Sequence, residues 1–493
     1  MSPLTPNPHV RTAKASHPLD STLPPPGLPV PKPCLSIWQR TTRTNPLLNL
    51  NATTTLPDTA DAVIIGSGLS GTVTAYELLN SSSPNAPKTV VMLEAREACS
   101  GATGRNAGHC RPDAFRGFSA FSKIHGEEQA HKILQHEKLV LELVDKFIKE
   151  KKVECDWDYC KTFDVVMAEE FKTYVEKSFE DYATKHGTQD GGVEGVRVLS
   201  EEEAKKETLI PLALGAYEWT AANLHPAKLC LSTIQMCIDK GLQLYTHAPV
   251  ISVSRAAKTS QWEVSTPRGS IKTHTVIHAT NAFAATLIPA LKEFVTPTRA
   301  QAHTLTPPTP FPSPTPYLTH TYSLRFALYH FYSVIQRKSD GNFVLGTSRG
   351  IPGMTEETMS QIKGGKDDRV WNKEIQDDAL AAFWKVFGDR LKSGRAGLLE
   401  EAEVEEEPIG VGEGHQYGWT GIIGITKDSV PFIGKVPGAE GQWVMAGFNG
   451  HGMARIFGCA PGLVKMILGG KWEETGMPEC FEITEERLAK LNS

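Results

Sequence analysis

The chain has 493 residues, 40% hydrophobic and 22% charged, with a net charge of -5. That length exceeds one compact core and predicts two domains, and the composition is that of a folded globular protein. The mild acidity offers no basic stripe for displacing counterions, so no nucleic acid is expected as a partner.

No run approaches the ~18 apolar residues of a membrane span, so no membrane span is expected, and MSPLTPNPHVRTAKASHPLD lacks an apolar signal core. Nine scattered cysteines neither describe a disulfide framework nor complete a zinc site. The expectation is a reduced, cytoplasmic protein without a metal.

Residues 1–57, which include LPPPGLPVPKP, read as a Pro-rich N-terminal arm, irregular or partly disordered, with Trp38 and NPLLNL able to dock on the body. Then comes DAVIIGSGLSGTVTAYELL. Ala62 to Ile65 predict a buried strand, Gly66, Gly68 and Gly71 a tight turn, and Leu69 to Leu79 a helix. Gly66 permits the turn, Gly68 lets backbone approach a pyrophosphate, and Gly71 allows close helix–strand packing. A second apolar strand, Thr89 to Leu93, ends in Glu94, about 20 residues on, where a dinucleotide site needs a ribose acceptor.

Cys99 to Asp113 form a Gly-rich loop in which backbone can press on a ligand. Helical spacing follows through Ile133, Leu134, Leu141, Val144 and Phe147. A strand is predicted at Phe163–Met167, a helix at Phe171–His186, and a capped helix start at Ser200 with Glu203 in the reciprocal position. His225 to Gly241 reads as another helix, with Pro226 in its first turn. Strands are expected at Gln243–Tyr245, Val250–Val253, Gln261–Ser265, Ser270–Lys272 and Thr275–His278. TLTPPTPFPSPTPY (Thr304 to Tyr317) reads as an extended surface insertion, with strands beyond it at Ala327–Gln336 and Phe343–Leu345. A charged helix is expected over Asp377 to Lys392.

Three distant pieces point the same way: the fingerprint with Glu94, the loop GATGRNAGH (Gly101 to His109), and WTGIIGITKDSVPFIG followed by VMAGFNGHGM. Together they resemble the FAD-dependent oxidoreductases of the D-amino-acid oxidase and sarcosine oxidase (DAO) superfamily, within it most like the branch that includes γ-glutamylputrescine oxidoreductase. The resemblance covers most of residues 61 to 470, the middle third only in outline. It implies an α/β fold: a Rossmann-like FAD-binding domain of the DAO and glutathione-reductase type, with an α+β substrate domain built on a mixed or antiparallel sheet. The FAD domain is expected to be discontinuous, over 58–120, 196–290 and 416–475. The substrate domain would take 121–195 and 291–415, and 476–493 would be a tail.

The resemblance also implies roles. Gly66, Gly68 and Gly71 would hold the pyrophosphate and Glu94 the ribose. Thr103 and Arg105 would reach phosphate or flavin edge, with Asn106, Gly108 and His109 near the ring. Arg96 reads as an exposed residue or a further contact. Asp428, Pro431 and Gly434 match a turn toward the ribityl and pyrophosphate site. Gly450, His451, Gly452 and Met453 match the loop opening a helix whose N-terminus faces the flavin. The chemistry implied is hydride transfer from a CH-NH or CH-NH2 donor, an amine or amino acid, to flavin N5, giving an imine that hydrolyses. Dioxygen or another acceptor would re-oxidise the flavin.

A base near neutrality would favour the neutral amine, which makes His109 and His451 the catalytic candidates. Trp419 and Phe448 are candidate walls of an amine pocket. Relatives that bind an α-carboxylate carry Lys where this chain has Ala454, which favours a larger amine over an α-amino acid. Sarcosine-oxidase relatives with covalent FAD use a cysteine in the substrate-side strands, and no cysteine lies between Cys237 and Cys459, so the resemblance implies non-covalent FAD, with Cys110 the residue to watch. Two other readings stay open: an FAD-binding protein without amine turnover, and an NAD(P)H-dependent flavoprotein reductase.

Overall fold

The computed structural model describes residues 27–257, 259–307, 318–348, 351–396 and 411–492, with the side chains of 388–396 left aside. Residues 1–26 of the arm and most of the Pro-rich insertion therefore lie outside the described residues.

Two sheets organise the chain. The first has a parallel core in the order Gln442–Ala446, Gly269–His278, Thr59–Ile65, Val90–Leu93 and Gln243–Tyr245. Val63, Ile64, Val91 and Met92 are fully buried, the continuous apolar run expected of strands covered on both faces. Helix Leu69–Asn80 follows the opening strand and packs against helices Pro226–Ile238 and Ile456–Ile467. The strands predicted at Ser270–Lys272 and Thr275–His278 are one strand, Gly269–His278, which pairs antiparallel with Trp262–Thr266 before running parallel to the opening strand.

The second sheet runs Gly414–Thr426, Val295–Thr306, Phe343–Gly346, Phe331–Gln336, His320–Arg325, Asp158–Val166, Gly215–Asn223 and His109–Cys110. It is antiparallel except where His320–Arg325 lies parallel to Asp158–Val166. The segments 196–290 and 416–475 each divide between the sheets, because Gly215–Asn223 and most of Gly414–Thr426 belong to the second.

Three of its strands carry no plain pattern. Gly215–Asn223 (GAYEWTAAN) is buried along most of its length, so polar residues do not alternate with apolar ones. Val295–Thr306 contains Pro297 and a bulge at Thr304/Leu305. His320–Arg325 reads as polar but is buried, because its Arg325 guanidinium reaches Asp164 at 3.2 Å.

The described part of the arm begins at Gly27. Helix Ile37–Arg40 begins at a capping box of Ser36 and Gln39, and Trp38 is 1% exposed. The Ser200–Glu203 capping box also forms as predicted.

Candidate active site between the two sheets

A cavity of about 330 Å³ opens at the carboxyl ends of the parallel strands, where Ile65, Leu93 and Ala279 reach its wall. Crevices there are the usual ligand position of open α/β sheets. The second sheet closes the opposite side with Ala300, Gln301, Phe331, Ser333 and Ile423.

The glycine turn has the geometry its spacing predicts. Gly66 adopts φ +108°, and a Cβ there would stand 2.7 Å from the Ala279 carbonyl oxygen. A Cβ on Gly68 would approach Thr103 Oγ1 to 3.2 Å, and Thr103 Oγ1 accepts from Leu69 N at 2.9 Å. Gly68, Leu69 and Ser70 line the cavity, so the first turn of a twelve-residue helix faces it with its partial positive charge.

Glu94 is buried and lines the same wall. Its Oε2 accepts from Ser67 N at 3.0 Å and Ser67 Oγ at 2.7 Å, and Oε1 from Arg96 N at 3.0 Å. A carboxylate has roughly four acceptor positions, so this anchored group keeps capacity for a ribose hydroxyl.

Arg105 lines the cavity and is buried. Nε donates to the Ser100 carbonyl at 2.7 Å and Nη1 to the Thr420 carbonyl at 2.8 Å, while Nη2 has no hydrogen-bond partner among the described residues. Burial lowers the Arg105 pKa and the Asp368 carboxylate opposes that effect. Arg96, expected at the surface, is buried instead, because Asp368 draws it inward at 3.0 Å.

At the far end of the chain, Gly450, Gly452, Met453 and Ile456 line the cavity, and helix Ile456–Ile467 starts there. The positive end of its dipole stabilises negative charge on a bound group nearby. His451 stands outside the lining with Nδ1 3.4 Å from Glu137 Oε1, and its side chain is 34% exposed. Glu137 also takes Arg455 Nε at 2.8 Å and Asp113 N at 2.7 Å. Burial alone would raise the Glu137 pKa, but Arg455 and then His451 outweigh it and hold the carboxyl down at about 2.

Several expectations need correction. Asp428 does not reach the cavity; it is buried against Arg487 at 2.9 Å, and its carbonyl accepts from His125. Gly108 (φ +82°) is required by packing, since a Cβ there would meet Ile335 and Trp38 within 3 Å. His109 lies outside the lining with both ring nitrogens buried and unpartnered among the described residues. Burial, then the Arg111 charge, pushes its pKa down to about 3, which leaves a poor base near neutrality. Trp419 is fully buried and donates to the Arg105 carbonyl at 2.8 Å, so of the two candidate aromatics only Phe448 lines the cavity.

Sequence reasoning passes over the turn Ala279 to Phe283, which lines the cavity. Asn281 sits there at φ +45° and its Oδ1 accepts from Gly447 N and Phe448 N at 3.0 and 3.2 Å. Asn directly after a buried strand is the available signal, since Asn tolerates this conformation.

The glycine turn, the anchored acceptor, the spare Arg105 donor and the second helix N-terminus together suit a flavin dinucleotide. The family described as DAO, FAD dependent oxidoreductase, matches residues 61–466. The chain belongs to that family, and FAD is its cofactor. The probable oxidoreductase OrdL of Haemophilus influenzae is 25% identical over 225 residues, 45% of this chain and 49% of that protein. The chain thus spans about half the length of the relative it matches.

Many solved structures share the fold. Glycine oxidase from Geobacillus kaustophilus superposes with a TM-score of 0.64 at 18% identity, over 87% of this chain and 99% of that one. L-proline dehydrogenase from P. horikoshii gives 0.62 at 20% identity, over 87% and 97%.

No cysteine belongs to the cavity lining among the described residues. Cys110 is buried, with Sγ 3.5 Å from the Met453 carbonyl and its thiol pushed up to about 12 by burial. Denaturing the holoprotein is therefore expected to release flavin into solution; colour retained on the precipitate would show a covalent link.

Proposed function

We propose that this FAD-dependent oxidoreductase oxidises the C–N bond of an amine or amino acid, and that the resulting imine hydrolyses to a carbonyl product. FAD supplies the hydride acceptor; this chain supplies position, electrostatics and exclusion of water. The observation that carries the reading is the cavity's composition: its lining includes the apolar side chains of Phe331, Ile423, Phe448, Met453 and Ile456 together with Gly450 and Gly452. Such a wall disfavours an ammonium and selects the neutral amine, whose lone pair expels hydride.

His451, outside the lining but between the lining residues Gly450 and Gly452, is the group proposed to take the amine proton through an intervening water. Its Nδ1 side is turned to the Glu137 carboxylate, an arrangement that holds the ring and leaves Nε2 as the acceptor. His451→Gln is expected to shift the pH profile of anaerobic flavin reduction while FAD stays bound. Glu137→Gln is expected to shift the same profile by a smaller amount. An unchanged profile in His451→Gln would remove the residue from this role.

Glycine and L-proline, named in the two structural relatives, are both amines. Two features favour a larger amine over an α-amino acid here: Ala454 in place of a lysine, and Arg96 already engaged with Asp368. Kinship with the γ-glutamylputrescine oxidoreductase branch remains part of this proposal. The deciding experiment is an anaerobic bleaching screen across primary and secondary amines, D- and L-amino acids and N-methyl amino acids, with NADH as a separate arm. Bleaching by amines supports the proposal. Bleaching by NADH alone, or by nothing, would replace it with the reductase or the non-turnover reading.

A further inference from the structure

We infer that residues 27–50 of the N-terminal arm form a wall of the FAD site, a strap that encloses the adenosine end and holds the flavin loop in shape. The inference rests on FAD as the cofactor. The family match starts at residue 61, so the strap lies outside the matched region.

The first contact is direct. Leu28 and Pro29 line the same cavity as Glu94, Val250, Thr286 and Leu287. Since Glu94 marks the ribose position, these apolar side chains stand at the adenosine end. Thr286 Oγ1 donates to the Gly27 carbonyl at 2.7 Å, and a Cβ on Gly27 would come within 2.6 Å of that oxygen. The strap starts pressed against the cavity's outer wall.

From there it follows the loop that carries the cofactor contacts. The Val30 carbonyl accepts from Arg96 Nη1 at 3.2 Å. Cys34 N donates to the Asp368 carbonyl at 2.9 Å. Ser36 Oγ donates to the Gly104 carbonyl at 2.5 Å, Trp38 Nε1 to that of Asn106 at 2.7 Å, and Gln39 Nε2 to that of Ser100 at 3.3 Å. The Leu48 carbonyl takes the Ala98 N–H at 2.9 Å. Three loop carbonyls between Ser100 and Asn106 thus accept from strap side chains. Buried Leu47, Leu48 and Trp38 seat it.

Asp368 is the keystone. Its carboxylate holds Arg96 at 3.0 Å and Arg105 at 3.6 Å, and it is 2% exposed. One buried residue therefore ties the strap, the flavin loop and the segment before helix Lys373–Ala396 together. A dinucleotide crevice is ordinarily open beyond the strand ends; here a third wall covers it. FAD then leaves only when the strap lifts.

The test is the rate at which FAD dissociates from the holoprotein, followed by flavin fluorescence after dilution. Ser36→Ala removes one donor to the loop together with the cap of helix Ile37–Arg40, Trp38→Phe removes another together with some buried volume, and Leu28→Ala opens the wall at the adenosine end. Each is expected to speed release, the first two by about tenfold, the scale of one hydrogen bond of ordinary net strength. Removing FAD from the wild-type protein is also expected to expose the arm to limited proteolysis. Unchanged release from all three variants would overturn the inference. Chromatography of the released cofactor keeps the two failures apart: a flavin other than FAD would break the cofactor reading, whereas FAD released at wild-type rates would break the strap alone.

Discussion

Gly71→Ala is expected to yield protein that does not retain flavin. A Cβ at this position would lie 2.0 Å from the Gly66 carbonyl oxygen and 3.1 Å from Ile64 Cγ2. Alanine is the better helix former by about 1 kcal/mol, so propensity alone would favour the change. The contact outweighs it, because the obstructing atom is backbone in the glycine turn that lines the cavity. Relief requires the helix start to move off the strand, and overpacking of this kind costs about 1–3 kcal/mol or more. The measurement is the ratio of flavin to protein absorbance after purification.

Gly68→Ala is the control. Its Cβ would meet a side-chain oxygen, Thr103 Oγ1, at 3.2 Å, and a threonine side chain yields more readily than a peptide. Reduced flavin content is expected there, not its absence. Full flavin content in Gly71→Ala would show that close helix–strand packing is not what this glycine provides.

The second large effect concerns stability. Asp164 is fully buried and receives Arg111 at 2.5 Å, Arg116 at 2.8 Å and Arg325 at 3.2 Å. Burial alone would raise its pKa; the three guanidiniums, Arg111 first, outweigh burial and hold the carboxyl well below the usual carboxylate range. Asp164→Asn leaves three guanidiniums with Asp113 as the remaining acid partner of Arg116. Breaking a buried pair costs about 3–5 kcal/mol, and that loss is expected in the denaturant midpoint.

The sign with pH follows from the depressed pKa. The stabilisation is complete above the unfolded carboxylate pKa and is lost as pH falls through the usual carboxylate range toward the folded value. The variant should therefore show a flatter decline of stability in acid than the parent. A cost under about 1 kcal/mol, the size of an exposed pair, would mean that the guanidiniums are compensated elsewhere.

How much of the site is legible in sequence follows from how far apart its partners stand. Gly66, Gly68 and Glu94 lie within one strand–turn–helix–strand unit and line the cavity, while Gly71 packs behind them. Asp428 misleads because a buried Asp in a turn looks the same whether it faces a cofactor or an arginine, and Arg487 follows 59 residues later. Arg96 reads as exposed because nothing nearby in sequence marks its partner; Asp368 is 272 residues away. The Glu137 carboxylate beside His451 comes from the middle of a 25-residue helix whose apolar spacing gives no sign of a buried acid.

By itself the sequence determined the strand, the glycine turn and the helix whose first turn lines the cavity, because strand hydrophobicity, glycine conformation and an acid after the next strand are local properties. It also marked the distant turn whose Gly450, Gly452 and Met453 line the same cavity. Tertiary structure alone decided which residues share the cavity and which ionisable groups are neutralised by one another. It set His451 against Glu137, engaged Arg96 and Arg105 with Asp368, and brought Leu28 and Pro29 of the arm to the cavity wall with Glu94. Those outcomes depend on charge pairing and burial between segments hundreds of residues apart, and no local pattern encodes which partner arrives.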